Sequence, residues 1–162
     1  MHKIWLSLFF TLMLFGCSDP QTGTVEVHWD RDACDRCRMV VSDPHYAAQI
    51  RYFPPEKRSK VVYFDDIGCA VLWLEKQPWK DDDKTEIWVA DHKTKQFINA
   101  KTAYYVPQNN TPMEYGLGAQ AAAETNALSF TQAIQHVHKV EERFNVHGLQ
   151  LQQAFEAANQ TK

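Results

Sequence analysis

Apolar positions along this chain repeat with two different periods, and the alternation between them predicts its elements. Residues 46–53 and 60–64 are rich in aromatic and β-branched side chains and flank Pro54-Pro55 and a charged loop, which predicts two strands joined by an irregular turn. Asp65 or Asp66 is then placed to cap a helix, because Ile67, Ala70, Val71 and Leu74 repeat at i, i+3, i+4 and i+7. Pro78 stops that helix. Residues 80–84 read as a solvated charged loop, 86–91 as a strand, 95–98 as a short one, and 104–106 as apolar and extended, after a helical turn begun at Asn99. Ser129 looks like a cap, with Phe130, Ala133, Ile134 and Val137 on one face of a final helix running to about Val140 or beyond. Strands and helices mixed in this way, without regular βαβ alternation, predict an α+β fold.

The N-terminus follows neither period. Lys3 precedes an almost unbroken apolar run over residues 4–15, shorter than the ~20 residues a bilayer span takes, and this is the layout of a secretory signal. Leu14-Phe15-Gly16-Cys17 resembles the lipobox of bacterial lipoproteins. Residues 1–16 are therefore expected to be removed, with Cys17 acylated as the first mature residue. Residues 18–24 have the Pro- and Gly-containing polar composition of a linker, residues 25–145 make one domain, and 146–162 form a polar C-terminal tail. Ser18 after the cysteine resembles an outer-membrane sorting signal. The expected location is thus periplasm-facing and lipid-anchored, at the outer membrane in preference to the inner.

Charge narrows the classes of partner. Without Lys3 the chain keeps 16 basic against 20 acidic side chains, and no concentrated basic face is visible, so a nucleic-acid footprint is not expected. The membrane enters only through the lipid on Cys17.

The chemistry sits in Cys34-Asp35-Arg36-Cys37-Arg38-Met39, two thiols and a thioether within six residues. Val40-Val41 favours an extended chain just after them. A turn running into a strand would point the three sulfurs one way with Arg38 turned aside. With Cys17 lipidated, Cys34, Cys37 and Cys69 remain, and an odd number of thiols outside the cytoplasm suggests a free thiol or a metal ligand. On the residues alone three readings stay open: an exported disulfide between Cys34 and Cys37, a zinc or copper site, and a thioredoxin-like redox pair. Zinc would want two further ligands from afar, and no second CxxC or HxxxH exists.

The ordered set of motifs resembles the NosL family of copper lipoproteins, accessory proteins of nitrous-oxide reductase. That pattern is a lipobox, a linker, CxxCGM, an FD segment before a helix, V-x-D-Y, and a TPMG loop. Here it reads Cys34 to Met39, Tyr63-Phe64-Asp65-Asp66, Val89-Ala90-Asp91-His92, residues 100–106, and Thr111-Pro112-Met113-Glu114. Arg38 and Glu114 replace the two glycines, and His92 stands for Tyr. The resemblance implies two small related ββαβ units and a Cu(I) site built from Cys37, Met39 and Met113, with Cys34 a further ligand or a redox partner. It also implies delivery of copper to a periplasmic cuproenzyme, nitrous-oxide reductase, in concert with an ABC-type membrane complex.

Each nomination has a plainer counterpart. Met39 before two valines reads as core filler without the resemblance, and Cys69, between Gly68 and Ala70, reads as a buried inert thiol. His136 and His138 are expected at the surface, and His28, His45 and His92 are isolated spare ligands at best. Asp65-Asp66 reads as a cap rather than an acid/base pair, and Asp81-Asp82-Asp83 as a wet loop without calcium-loop spacing. No Ser/His/Asp arrangement, phosphate-cradling loop or HExxH motif is present, so an enzyme is not expected. The competing function is a thiol-disulfide oxidoreductase using Cys34 and Cys37, against which Met39 argues, since thiol exchange needs no thioether two residues on.

Overall fold

The computed structural model describes residues 22–160. The signal, the lipobox and Cys17 lie outside the described residues. Among those described, no helix is long and apolar enough to cross a membrane.

Strands β1 (Ala48–Tyr52), β2 (Lys60–Phe64), β3 (Glu86–Ala90) and β4 (Phe97–Asn99) form an antiparallel sheet in the order β2-β1-β3-β4. Registers Ile50↔Val62, Ile50↔Ile87, Ala48↔Phe64 and Ala48↔Val89 gather the apolar side chains on one face, because successive side chains of a strand point to opposite sides. Helix α1 (Ile67–Leu74) covers that face through Ile67, Ala70 and Val71. The other face of β1 carries Gln49 and Arg51, both buried. The chain entering the domain meets part of their polar need: Gln49 exchanges two hydrogen bonds with the Val25 backbone, and Arg51 Nε donates to the Gly23 carbonyl at 2.7 Å, while Arg51 Nη1 donates to Ser59 Oγ and Nη2 has no partner.

Helix α1 ends at Leu74, four residues before Pro78, and Glu75 closes it with its N–H on the Val71 carbonyl. Tyr52, Trp73 and Trp79 pack behind that end, with Tyr52 and Trp79 stacked at 4.3 Å. A second sheet pairs β5 (Tyr104–Val106) with β6 (Gly118–Gln120). A bridge from Asp91 to Ala119 and the His92 N–H on the Ala119 carbonyl tie it to the first. Helix α2 (Phe130–Gln160) runs over 31 residues and buries Ala133, Val137 and Val140 in the same core.

The fold is α+β, with the strands where the hydrophobic pattern predicts them. Strand β6 is the addition. Its Gly-Ala-Gln sequence has no β-branched residue, and pairing with β5 is what makes it a strand. Segments β1, β2, α1 and β3 follow the order ββαβ. After them come three short strands and α2, so a second ββαβ unit is not confirmed. The segment read as a polar tail continues α2 to Gln160.

Candidate metal centre

Residues 30–41 form a narrow hairpin docked on the end of β2. Val41 N–H reaches the Asp32 carbonyl at 2.8 Å and Cys34 N–H the Met39 carbonyl at 2.8 Å, while Asp35 N–H holds the Tyr63 carbonyl at 2.9 Å. Between them the chain reverses through Asp35 to Arg38, and Arg38 takes a left-handed conformation with φ 67°. The turn drops Cys34 into the core at 0% exposure, leaves Cys37 half-buried, and turns Met39 outward, 55% exposed.

Asp65 and Asp66, at the start of α1, divide the work of assembling the site. Asp66 caps the helix: its Oδ1 accepts the Cys69 N–H at 3.1 Å. Its Oδ2 accepts the Thr111 hydroxyl at 3.0 Å and the Met113 N–H at 3.3 Å, which anchors the Thr111-Pro112-Met113 loop. Asp65 faces the other way, and its Oδ2 accepts the Cys37 thiol at 2.9 Å. Two consecutive carboxylates therefore hold two loops 76 positions apart in sequence, counted from Cys37 to Met113. Met113 packs half-buried against the core. Glu114 after it is left-handed at φ 60°.

The helix delivers a third thiol. Cys69 sits in the first turn of α1, and its sulfur lies with those of Cys34 and Cys37 in a group whose members are all within 4.8 Å of one another. All three are free thiols. Burial of Cys69 agrees with the sequence reading, but its place in this cluster was not foreseen. The odd thiol count was the one signal that pointed there. Arg36 Nη1 stands 3.9 Å from the Cys69 sulfur, and Nη2 pairs with Glu141 Oε1 of α2 at 2.5 Å. Tyr115 donates its hydroxyl to the same Glu141 oxygen.

The charge of the cluster gathers on Cys34. A hydrogen bond from the Cys69 thiol, helped by the Cys37 and Asp65 N–H groups, outweighs burial and lowers Cys34 to about 5. Burial and the hydrogen bond to Asp65 push Cys37 up to about 12. Its bond to Cys34, together with burial, raises Cys69 as well. Burial lifts Asp65 to about 6 and raises Asp66. Soft sulfur donors converging in this way suit a soft cation such as Cu(I).

His28, His45, His92, His136 and His138 are engaged elsewhere. His45 and His92 place Nδ1 on the carbonyls of His92 and Ala119, and His28 pairs with Asp32. His138 is exposed and meets Glu75, whereas His136 is half-buried on the Tyr115 carbonyl rather than at the surface. Asp81 to Asp83 are exposed, as a wet loop requires.

A family model described as NosL matches residues 25–140, most of the chain. The chain belongs to the NosL family. Neither the comparison with curated proteins nor that with solved structures finds a match. NosL membership suggests a copper-binding accessory role, and the thiol cluster is a group able to hold a metal ion. It also gives meaning to two odd residues: Arg38 and Glu114, which replace glycines of the NosL pattern, are both left-handed, the conformation glycine adopts without steric cost.

Proposed function

We propose that this protein carries Cu(I) as cargo between Cys37, Met39 and Met113, with Cys34 beside them, and delivers it to a periplasmic cuproenzyme, nitrous-oxide reductase. The observation that carries this reading is the pair of carboxylates: Asp65 holds Cys37 and Asp66 holds Met113, so the two loops meet at one helix end. Cargo binding replaces the proton that Cys37 otherwise keeps. A thiolate neutralises the ion, and two thioethers complete a soft, low-coordinate set that a partner's ligand can enter. The exposed side of that set is Met39, which makes the Met39-Val40 rim the approach for exchange. Acylated Cys17 would tether the carrier at the periplasmic face of the outer membrane, with a periplasmic client and an ABC-type membrane complex as its partners.

The fully buried Cys34 and the raised, half-buried Cys37 speak against a thiol-disulfide enzyme, whose attacking thiolate needs access. The test is competition for Cu(I) against a chelator with the reduced protein. Met113→Ala should bind roughly tenfold more weakly and Cys37→Ser weaker still, since a thiolate contributes charge that a thioether lacks. Wild-type affinity in Met113→Ala would remove the two-loop site.

A further inference from the structure

The outer sulfurs leave two thiols unused, and these are the most protected of the described cysteines. Cys34 and Cys69 are both 0% exposed, and Cys37 lies within 4.8 Å of each. Buried cysteines that merely fill space sit among apolar atoms. These have polar neighbours instead: the backbone N–H groups of Cys37 and Asp65 and the Cys69 thiol all favour the thiolate of Cys34. The Arg36 guanidinium stands 3.9 Å from Cys69, and its buried Nε has no hydrogen-bond partner. Amide and guanidinium groups aimed at sulfur stabilise it as an anion.

We propose that Cys34, Cys37 and Cys69 form a second, interior position for Cu(I), sharing Cys37 with the outer set of Met39 and Met113. It rests on the copper-carrier reading for the identity of the cargo. An ion moving inward keeps its bond to the Cys37 sulfur. It exchanges the two thioethers for the sulfurs of Cys34 and Cys69, which release to solvent whatever protons they hold. Copper stays Cu(I), so no electron acceptor is required. Three thiolates around one Cu(I) carry two negative charges, and Arg36 supplies the positive charge beside them. The interior position shields the ion from water and competing ligands. The outer position, open at Met39, is where it is handed on. Cys37 is the hinge between storage and exchange.

The experiment uses the full-length protein in detergent, reduced and anaerobic, titrated with Cu(I) against a chelator. Met39→Ala/Met113→Ala should still bind about one equivalent, roughly tenfold more weakly than wild type, with three sulfur neighbours by copper X-ray absorption. Adding Cys69→Ala should weaken that residual binding at least tenfold. No Cu(I) bound by Met39→Ala/Met113→Ala, fewer than three sulfur neighbours, or binding indifferent to Cys69→Ala would each overturn the interior position while leaving the outer site standing. Wild-type protein that takes no Cu(I) at all would instead overturn the carrier reading, and the interior position with it. Thermal unfolding of each variant reports whether it folds. Should Cys69→Ala not fold, the sulfur count in Met39→Ala/Met113→Ala, which leaves the buried thiols untouched, decides alone.

Discussion

At the scale of single residues, Arg38 and Glu114 are two of the seven left-handed non-glycine positions among the described residues, and both stand where the resembled pattern has glycine. A non-glycine residue there costs roughly 1–2 kcal/mol, and glycine returns about half of that through the freer unfolded chain. Arg38 gains little in compensation, since its 3.9 Å approach to Asp35 is made from a side chain 77% exposed. Arg38→Gly should therefore stabilise the protein by about 0.5–1 kcal/mol and raise Tm by roughly 2 °C, and Glu114→Gly should act in the same direction. A fall in Tm by calorimetry would show that these side chains support their loops. Sequence showed that the glycines were missing, but the sign of φ came only from the folded turns. The same limit applied to Asp65. Its neighbour's capping role follows from the i, i+3, i+4 pattern of α1, whereas the bond from Asp65 to Cys37 depends on a hairpin that docks 28 residues earlier in the chain.

At the scale of elements, helix α1 is the keystone, because its N-terminus joins the sheet, the thiols and the Met113 loop. Asp66→Ala removes a cap worth ~1 kcal/mol. It also leaves the Thr111 hydroxyl and the Met113 N–H without their acceptor, at a further cost of about 1–3 kcal/mol. Tm should drop by about 10 °C, and Cu(I) binding should weaken in parallel as the Met113 loop loosens. Asp66→Asn keeps one acceptor oxygen and should lose about half as much. Equal unfolding temperatures for wild type and Asp66→Ala would mean that the loop is held by other contacts. Gly68 shows why this element was only partly legible: a Cβ there would overlap the Tyr115 ring. The helical period identified α1 and its inward face, but not which loop packs against its second residue. Strand β6 was hidden for a similar reason, being three residues of low β propensity whose pairing with β5 is tertiary.

At the scale of the molecule, α2 outruns the domain it belongs to. Its 31 residues span ~46 Å, and among the described residues its last buried contacts are Val140 and the Glu141 bond to Arg36. Farther along, Phe144, Val146, Leu149 and Leu151 are all exposed. Truncation after Arg143 should leave Tm within about 2 °C of wild type and Cu(I) affinity unchanged. Truncation after His136 removes Val137, Val140 and Glu141 and should prevent cooperative unfolding altogether. A large loss of stability on the shorter deletion would reveal contacts made by the distal half of the helix. The sequence marked the inward stripe of this helix from Phe130 to Val137 and lost it where polar residues begin, because helix continuation there depends on intrinsic propensity rather than on a buried face.

The depth at which the three thiols lie makes them a built-in clock of chain opening. Among the described cysteines, a maleimide can reach only Cys37 while the fold is intact, and even there the reaction is slowed by the proton that Asp65 helps it retain. Cys34 and Cys69 become alkylated only when the hairpin lifts from β2 or the helix frays from its cap. Mass-resolved labelling over time should thus show one early modification and two late ones. If the late pair appear together, the hairpin and α1 open as one unit; if Cys34 leads, the hairpin peels away first and α1 keeps its own separate lifetime.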